Sequence, residues 1–153
     1  MSAEEMHDEL RDDMHDVVER RLRLIDQRYT SGRRAIVDLL VTVGHPVSIG
    51  DIAERLPGLP RSSAYRHLTD LHAAGLVRRV TASDEFTRFE LAEDLTEHHH
   101  HLLCMNCGKV TDVTPPAGFE YQVAGAITDI AAAAGFQAHS HRLDVLGLCA
   151  TCQ

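Results

Sequence analysis

Four cysteines stand in two matched pairs, Cys104-Met-Asn-Cys107 and Cys149-Ala-Thr-Cys152. Each C-x2-C pair offers two thiolates on one short turn. Two such pairs complete a tetrahedral four-sulfur site, the geometry of structural zinc. Gly108 follows Cys107 and supplies the backbone freedom that a knuckle turn needs. The competing reading is two redox dithiols, but a doubled pair using every cysteine of the chain points to a metal. A closed four-thiolate site leaves no position for water. It therefore serves folding rather than catalysis.

A second set of donors precedes the first knuckle: His98-His99-His100-His101. In extended backbone, alternate side chains point to opposite faces. His99 and His101 then share one face and His98 and His100 the other, enough to seed two separate metal sites. Imidazole suits Zn, Fe, Ni, Co and Cu, and carboxylates alongside it favour Mn and Fe. Further ligand-type side chains are His45, Glu90, Asp112, Glu120, His139 and His141. The plainer alternative is a solvated histidine loop.

The elements that must position these groups follow from periodicity. Leu10, Met14, Val17, Val18, Leu22 and Ile25 mark an amphipathic helix over 7–25, broken at Tyr29–Gly32. A second helix fits Arg33–Val43, stopped by Gly44-His45-Pro46. Ser48 caps a short third helix carrying Ile52, Ala53 and Leu56. A fourth runs from Arg61 to Ala74, with Gly75 as its C-terminal cap. Strands at Leu76–Val80 and Phe86–Leu91, joined by a polar turn at Thr81–Glu85, form a hairpin. Three helices and a two-stranded ribbon make a winged helix-turn-helix over residues 1–91. Residues 92–97 are the expected hinge. Residues 98–153 form a small α+β unit with strands at Leu102–Cys104, Lys109–Val113 and Gln137–Leu146, and a helix at Phe119–Ala134.

In the fourth helix Ala64, Leu68 and Leu71 form an inner stripe, while Ser62, Tyr65, Arg66, Thr69 and Ala73 gather opposite. A DNA-reading helix needs this division. Arg66 could read a guanine, Tyr65 a thymine methyl or phosphate, and Arg61 a phosphate. The formal charge of -8 looks wrong for a DNA binder, but its distribution is uneven. Residues 1–19 hold eight acids and one Arg, whereas residues 20–88 hold twelve Arg against seven acids. Arg78, Arg79 and Arg88 add positive charge to the hairpin. An ordinary solvated polar face is the alternative.

These pieces, in this order, resemble the ferric uptake regulator family. The matching segments are Thr30-Ser-Gly-Arg33, His45-Pro-Val-Ser-Ile-Gly-Asp-Ile52, Ser63-Ala-Tyr-Arg-His-Leu68, Gly75-Leu-Val77 and Arg88-Phe-Glu-Leu91, then the histidine run and Cys104-x2-Cys-Gly-Lys109, and last Gly135-Phe136 and Gly147-x-Cys-x2-Cys152. The resemblance implies a winged-helix DNA-binding domain joined to an α+β dimerisation domain. It implies structural Zn2+ on Cys104, Cys107, Cys149 and Cys152. It implies a regulatory divalent metal (Fe2+, Zn2+, Mn2+ or Ni2+) on His45, Glu90, His99 and His101. It implies a further site on His98, His100, Glu120 and His141, grouped with Asp112, a ligand position in some members. DNA contacts are expected from Arg61, Ser62, Ser63, Tyr65, Arg66 and Thr69. The chain departs from the pattern at Ser63-Ala64, where Thr-Val is usual, and in having no cysteine left for a sensory site.

The expected function is metal-dependent repression by a homodimer on a palindromic double-stranded DNA operator, in the cytoplasm. No stretch approaches the roughly 20 apolar residues of a membrane span. Peroxide sensing, through iron that oxidises its own ligands, is the alternative within the family. A zinc hydrolase is the alternative outside it, but the chain has no H-E-x-x-H helix, nucleophile elbow or phosphate loop. A zinc-storage or interaction protein would leave the Arg-rich winged helix without a purpose.

Overall fold

The computed structural model describes the backbone of residues 3–81 and 87–153, and side chains from Asp12 onward outside 82–86. The chain divides into two compact units, Met1–Glu97 and His98–Gln153.

The first unit holds helices α1 (Ala3–Arg23), α2 (Ser31–Val43), α3 (Ile49–Arg55) and α4 (Arg61–Ala73). Its strands are β1 (Val47–Ser48), β2 (Val77–Thr81) and β3 (Thr87–Leu91). Each helix boundary has a local cause. Thr30 caps α2 by accepting from the Arg33 amide, and Gly44, at φ 66°, closes it. Ser31 and Gly32 therefore begin a helix instead of interrupting the chain. A Cβ on Gly32 would meet the His67 ring at 2.7 Å, so α2 and α4 approach through a residue without a side chain. Ser48 and Asp51 form a reciprocal capping box at the start of α3, satisfying two amides that the helix leaves open.

The helices close over one apolar core. Val18 and Leu22 come from α1, Ile36, Val37 and Leu40 from α2, Ile52 from α3, and Ala64, Leu68 and Leu71 from α4. Phe89 and Leu91 on β3 complete it. Helix α1 ends at Arg23, and Asp26 takes φ 56°, which leaves Ile25 at the surface although its spacing places it inward. Leu10 and most of the turn at Thr81–Glu85, with Phe86, lie outside the described side chains.

The sheet order is β1-β3-β2, with β3 antiparallel to both neighbours. The sequence showed only the ribbon, because two residues of β1 are too short for any period. The register also corrects the positive hairpin. Arg78 faces Glu90 across β2 and β3, is buried, and ion-pairs with Glu90 and with Glu93 at 3.8 Å. Arg88 turns to Asp51 at 3.5 Å. Neither guanidinium is a spare cation for phosphate.

The second unit contains β4 (His100–Cys104), β5 (Val110–Val113), α5 (Ala117–Ala133) and β6 (Asp144–Gly147). Its sheet order is β5-β4-β6, with β4 antiparallel to β5 and parallel to β6. The long strand expected at Gln137–Leu146 shrinks to β6. The ladder on β4 pairs His101 with Asp144 at its first step, and just before it the Leu143 carbonyl accepts from the His101 amide at 3.3 Å. This unit hides little apolar surface. Leu103 and Cys104 are its buried apolar residues, and α5 buries none. Tyr121, Ile130, Phe136 and Leu146 are each more than half exposed.

Candidate metal centres and nucleic-acid face

Strand β4 delivers Cys104, and its ladder to β6 pairs Cys104 with Gly147, two residues before Cys149. Gly108, at φ 70°, turns the first knuckle back so that its amide reaches the Cys104 carbonyl at 3.0 Å. The Cys152 amide closes the second knuckle on Cys149 at 2.9 Å. All four cysteines are free, and their sulfurs lie within 4.8 Å of one another. Cys107 Sγ and Cys149 Sγ are 3.7 Å apart. Zinc–sulfur bonds of about 2.3 Å in a tetrahedron set sulfurs roughly 3.8 Å apart, so the spacing fits zinc. It is far from the roughly 2.05 Å of a disulfide. Amide hydrogen bonds from Cys107 and then Cys149 pull the Cys104 thiol down to about 6, towards the thiolate that a metal requires.

The histidine run splits by face. His98 and His100 stack edge to face at 4.7 Å between centroids, and His99 and His101 do the same at 5.1 Å. On the first face three imidazoles converge on one carboxylate. Glu120 Oε1 lies 3.0 Å from His98 Nε2 and 2.8 Å from His141 Nε2, and Glu120 Oε2 lies 2.9 Å from His100 Nε2. The His100 hydrogen bond, followed by the charges of His98 and His141, outweighs burial and holds Glu120 below the usual carboxylate range. Ligands at about 2.1 Å from one ion can be at most about 4.2 Å apart, a limit these distances satisfy. Three nitrogens and a carboxylate suit a borderline divalent ion.

On the opposite face His99, His101 and Asp112 bring their ligand atoms within 4.8 Å. His101 Nε2 is 3.8 Å from Asp112 Oδ1, within the same limit. Asp112, grouped by the sequence with His98 and His100, thus belongs with His99 and His101. The antiparallel register sets His101 opposite Asp112, and cross-strand partners share a face. Spacing along one strand cannot reveal that pairing. Asp144, absent from the sequence-based candidates, lies 2.9 Å from His101 Nδ1. An acid at the start of a strand carries no signal until its register with β4 is known.

Of the three remaining candidates, His139 is exposed in the second unit and joins none of these clusters, and the other two sit in the first unit. Glu90 is buried on β3 beside Arg78. His45 follows α2, exposed, with Nδ1 3.2 Å from the Pro46 carbonyl oxygen.

Helix α4 presents Arg61, Ser62, Tyr65, Arg66 and Thr69 to solvent, while Ser63 is half-buried. Tyr65 is 52% exposed although aromatic, so its ring is available to a partner. Arg66 extends past Ser63 Oγ at 3.4 Å, and Thr69 bonds back to the Tyr65 carbonyl at 2.9 Å. The amides of the first turn have no side-chain cap, because Pro60 occupies the capping position. Open amides at a helix N-terminus favour an anion.

A winged helix with an open polar α4, followed by an α+β unit carrying thiolate and imidazole centres, defines a metal-binding regulator fold. The sequence profile of the Ferric uptake regulator family matches residues 25–146, and the chain belongs to that family. It is 34% identical over 131 residues to the peroxide operon regulator of Bacillus subtilis (strain 168), covering 82% of this chain and 83% of that protein. It is 28% identical over 137 residues to the peroxide-responsive repressor PerR of Staphylococcus epidermidis, covering 86% and 85%. The solved structure of the Helicobacter pylori ferric uptake regulator Fur, described as having three functional metal binding sites, matches with a TM-score of 0.69 and 21% identity. That alignment covers 91% of this chain and 93% of that one.

Proposed function

We propose that this chain is a metal-responsive transcriptional repressor that binds a palindromic DNA operator as a homodimer in the cytoplasm. The observation that carries the reading is the division of labour within one chain. One unit offers a solvent-facing helix with Arg61, Ser62, Tyr65, Arg66 and Thr69. The other holds three centres of ligand-type side chains and a large uncovered apolar surface. The dimer reading rests on that surface, because exposed Tyr121, Ile130 and Leu146 call for a cover. No described helix is long and apolar enough to cross a membrane.

Cys104, Cys107, Cys149 and Cys152 would hold zinc, which supplies a tetrahedral cross-link. His99 and His101, with Asp112, would hold the regulatory divalent ion, completed by Glu90 and His45. Those two precede residues 92–97 in the chain and the histidines follow them, so shared ligation would tie both units together. Tethering would set the two α4 helices of a dimer about one DNA turn apart, roughly 34–36 Å. His98, His100, Glu120 and His141 form the additional site.

The test replaces both His99 and His101 by Ala. The variant should remain a zinc-loaded dimer but lose metal-dependent binding to an operator selected in vitro, measured by fluorescence anisotropy. Tight binding that persists without added metal would sink the reading.

The 34% identity to a peroxide operon regulator favours a second reading, peroxide sensing at the same centre. Its donors are nitrogen and oxygen, which accommodate iron. Mass spectrometry of the Fe2+-loaded protein after peroxide should then show one added oxygen on His45 or His99. Unmodified histidines together with continued operator binding would leave metal sensing alone.

A further inference from the structure

An imidazole has two ring nitrogens, and the partner of one decides what the other can do. His101 is 2% exposed, so water does not set its tautomer. Its Nδ1 lies 2.9 Å from Asp144 Oδ1, while Nε2 faces Asp112 Oδ1 at 3.8 Å. The backbone builds this arrangement. In the parallel ladder His101 of β4 pairs with Asp144 of β6, and in the antiparallel ladder His101 pairs with Asp112 of β5. The ring is held between two carboxylates brought by the strands on either side.

An ionised carboxylate only accepts hydrogen bonds. The hydrogen in the short contact must therefore sit on His101 Nδ1. A neutral imidazole carries a single ring hydrogen, so with that hydrogen on Nδ1 the Nε2 atom offers a lone pair and can only accept or ligate. That lone pair points to the side where His99 and Asp112 gather. A solvated histidine prefers the opposite tautomer, with its hydrogen on Nε2, which cannot ligate through that atom.

We propose that Asp144 is a positioning residue for the regulatory metal, selecting the His101 tautomer whose Nε2 is ready to ligate and fixing the plane of the ring. This rests on the reading of His99 and His101 as regulatory ligands. Carboxylate partners of metal-bound histidines act this way in general, and losing one weakens metal affinity by about 10–100-fold. Asp144 lies on a strand that also leads to Cys149, so the zinc knuckle and the sensory histidine share one support.

The experiment compares full-length, zinc-loaded protein with Asp144→Ala, Asp144→Asn and His101→Ala. All four carry His98→Ala and His141→Ala, so that Co2+ titrates a single imidazole centre. Cobalt affinity should fall about 10–100-fold in D144A. D144N should fall between D144A and the parent, because an amide oxygen still accepts from Nδ1 but carries no charge. Zinc per chain should stay constant. Long-range 1H–15N correlation of His101, in the otherwise unaltered protein without the regulatory metal, should place the hydrogen on Nδ1, and D144A should move it to Nε2. A His101 hydrogen on Nε2 in the unaltered protein overturns the proposal. Unchanged cobalt affinity in D144A, with affinity lost in H101A, overturns it while leaving the regulatory reading intact. Unchanged affinity in H101A overturns both.

Discussion

The first unit buries Val18, Leu22, Ile36, Ile52, Leu68 and Leu71 almost completely, each from a different place along four helices. The second unit buries Leu103 and Cys104 among its apolar residues, and the other side chains it encloses as fully are His100 and His101. One unit has a hydrophobic core, and the other has ligand clusters where a core would be. Burying a Leu or Ile side chain contributes about 1.5–3 kcal/mol. Burying imidazoles and carboxylates costs free energy unless they are paired or metal-bound. The lesson is that the two units are stabilised by different physics and should fail under different insults.

The sharpest way to break that contrast is to take away the zinc. Structural zinc contributes on the order of 10–16 kcal/mol in small thiolate sites. Stripping it, or making Cys149→Ser, should strip hydrogen-exchange protection from residues 98–153 while helices α2 to α4 keep theirs. Protection retained in the second unit without zinc would erase the distinction. The reciprocal insult is Leu68→Ala, which should cost the first unit about 2–5 kcal/mol. Zinc per chain should not change, and a loss of zinc would show that the units are not separately held.

The uncovered face sharpens the comparison further. If self-association covers the apolar surface of the second unit, Ile130→Glu or Leu146→Glu should raise the dimer dissociation constant tenfold or more, about 1.4 kcal/mol or above. Sedimentation would read this, and the melting of the first unit should stay where it was. A dimer of unchanged strength would locate the interface elsewhere.

The smallest expected effect concerns the capping box. Burial pushes the Asp51 carboxyl up, but hydrogen bonds from the Ser48 hydroxyl and amide, with Arg88, prevail and hold it below the ordinary range. A carboxyl lowered by folding contributes stability above the ordinary carboxylate range, and that stability is lost as pH falls through its folded value. Ser48→Ala should cost about 1 kcal/mol near neutral pH. The gap between variant and parent should narrow in acid. A gap that widens in acid would contradict the assigned hydrogen bonds.

Much of this molecule was legible in the chain itself. The thiolate centre could be read because two C-x2-C pairs are a local, periodic signal, and four sulfurs admit few arrangements. The inner stripe of α4 and the capping role of Ser48 were legible for the same reason, since helix contacts repeat at short separations. So was the split of the histidine run, because alternation in a strand follows from backbone geometry alone.

Register between strands decided the rest. It moved Asp112 to the face of His99 and His101, placed Asp144 against His101, and committed Arg78 to Glu90. Each of these pairs joins residues at least eleven positions apart, and a shift of one residue would send every side chain to the other face. Sequence alone determined which chemical groups the protein carries and the faces on which they alternate. Only tertiary structure decided which groups meet, because strand pairing is set by the packing of whole elements and not by any local period.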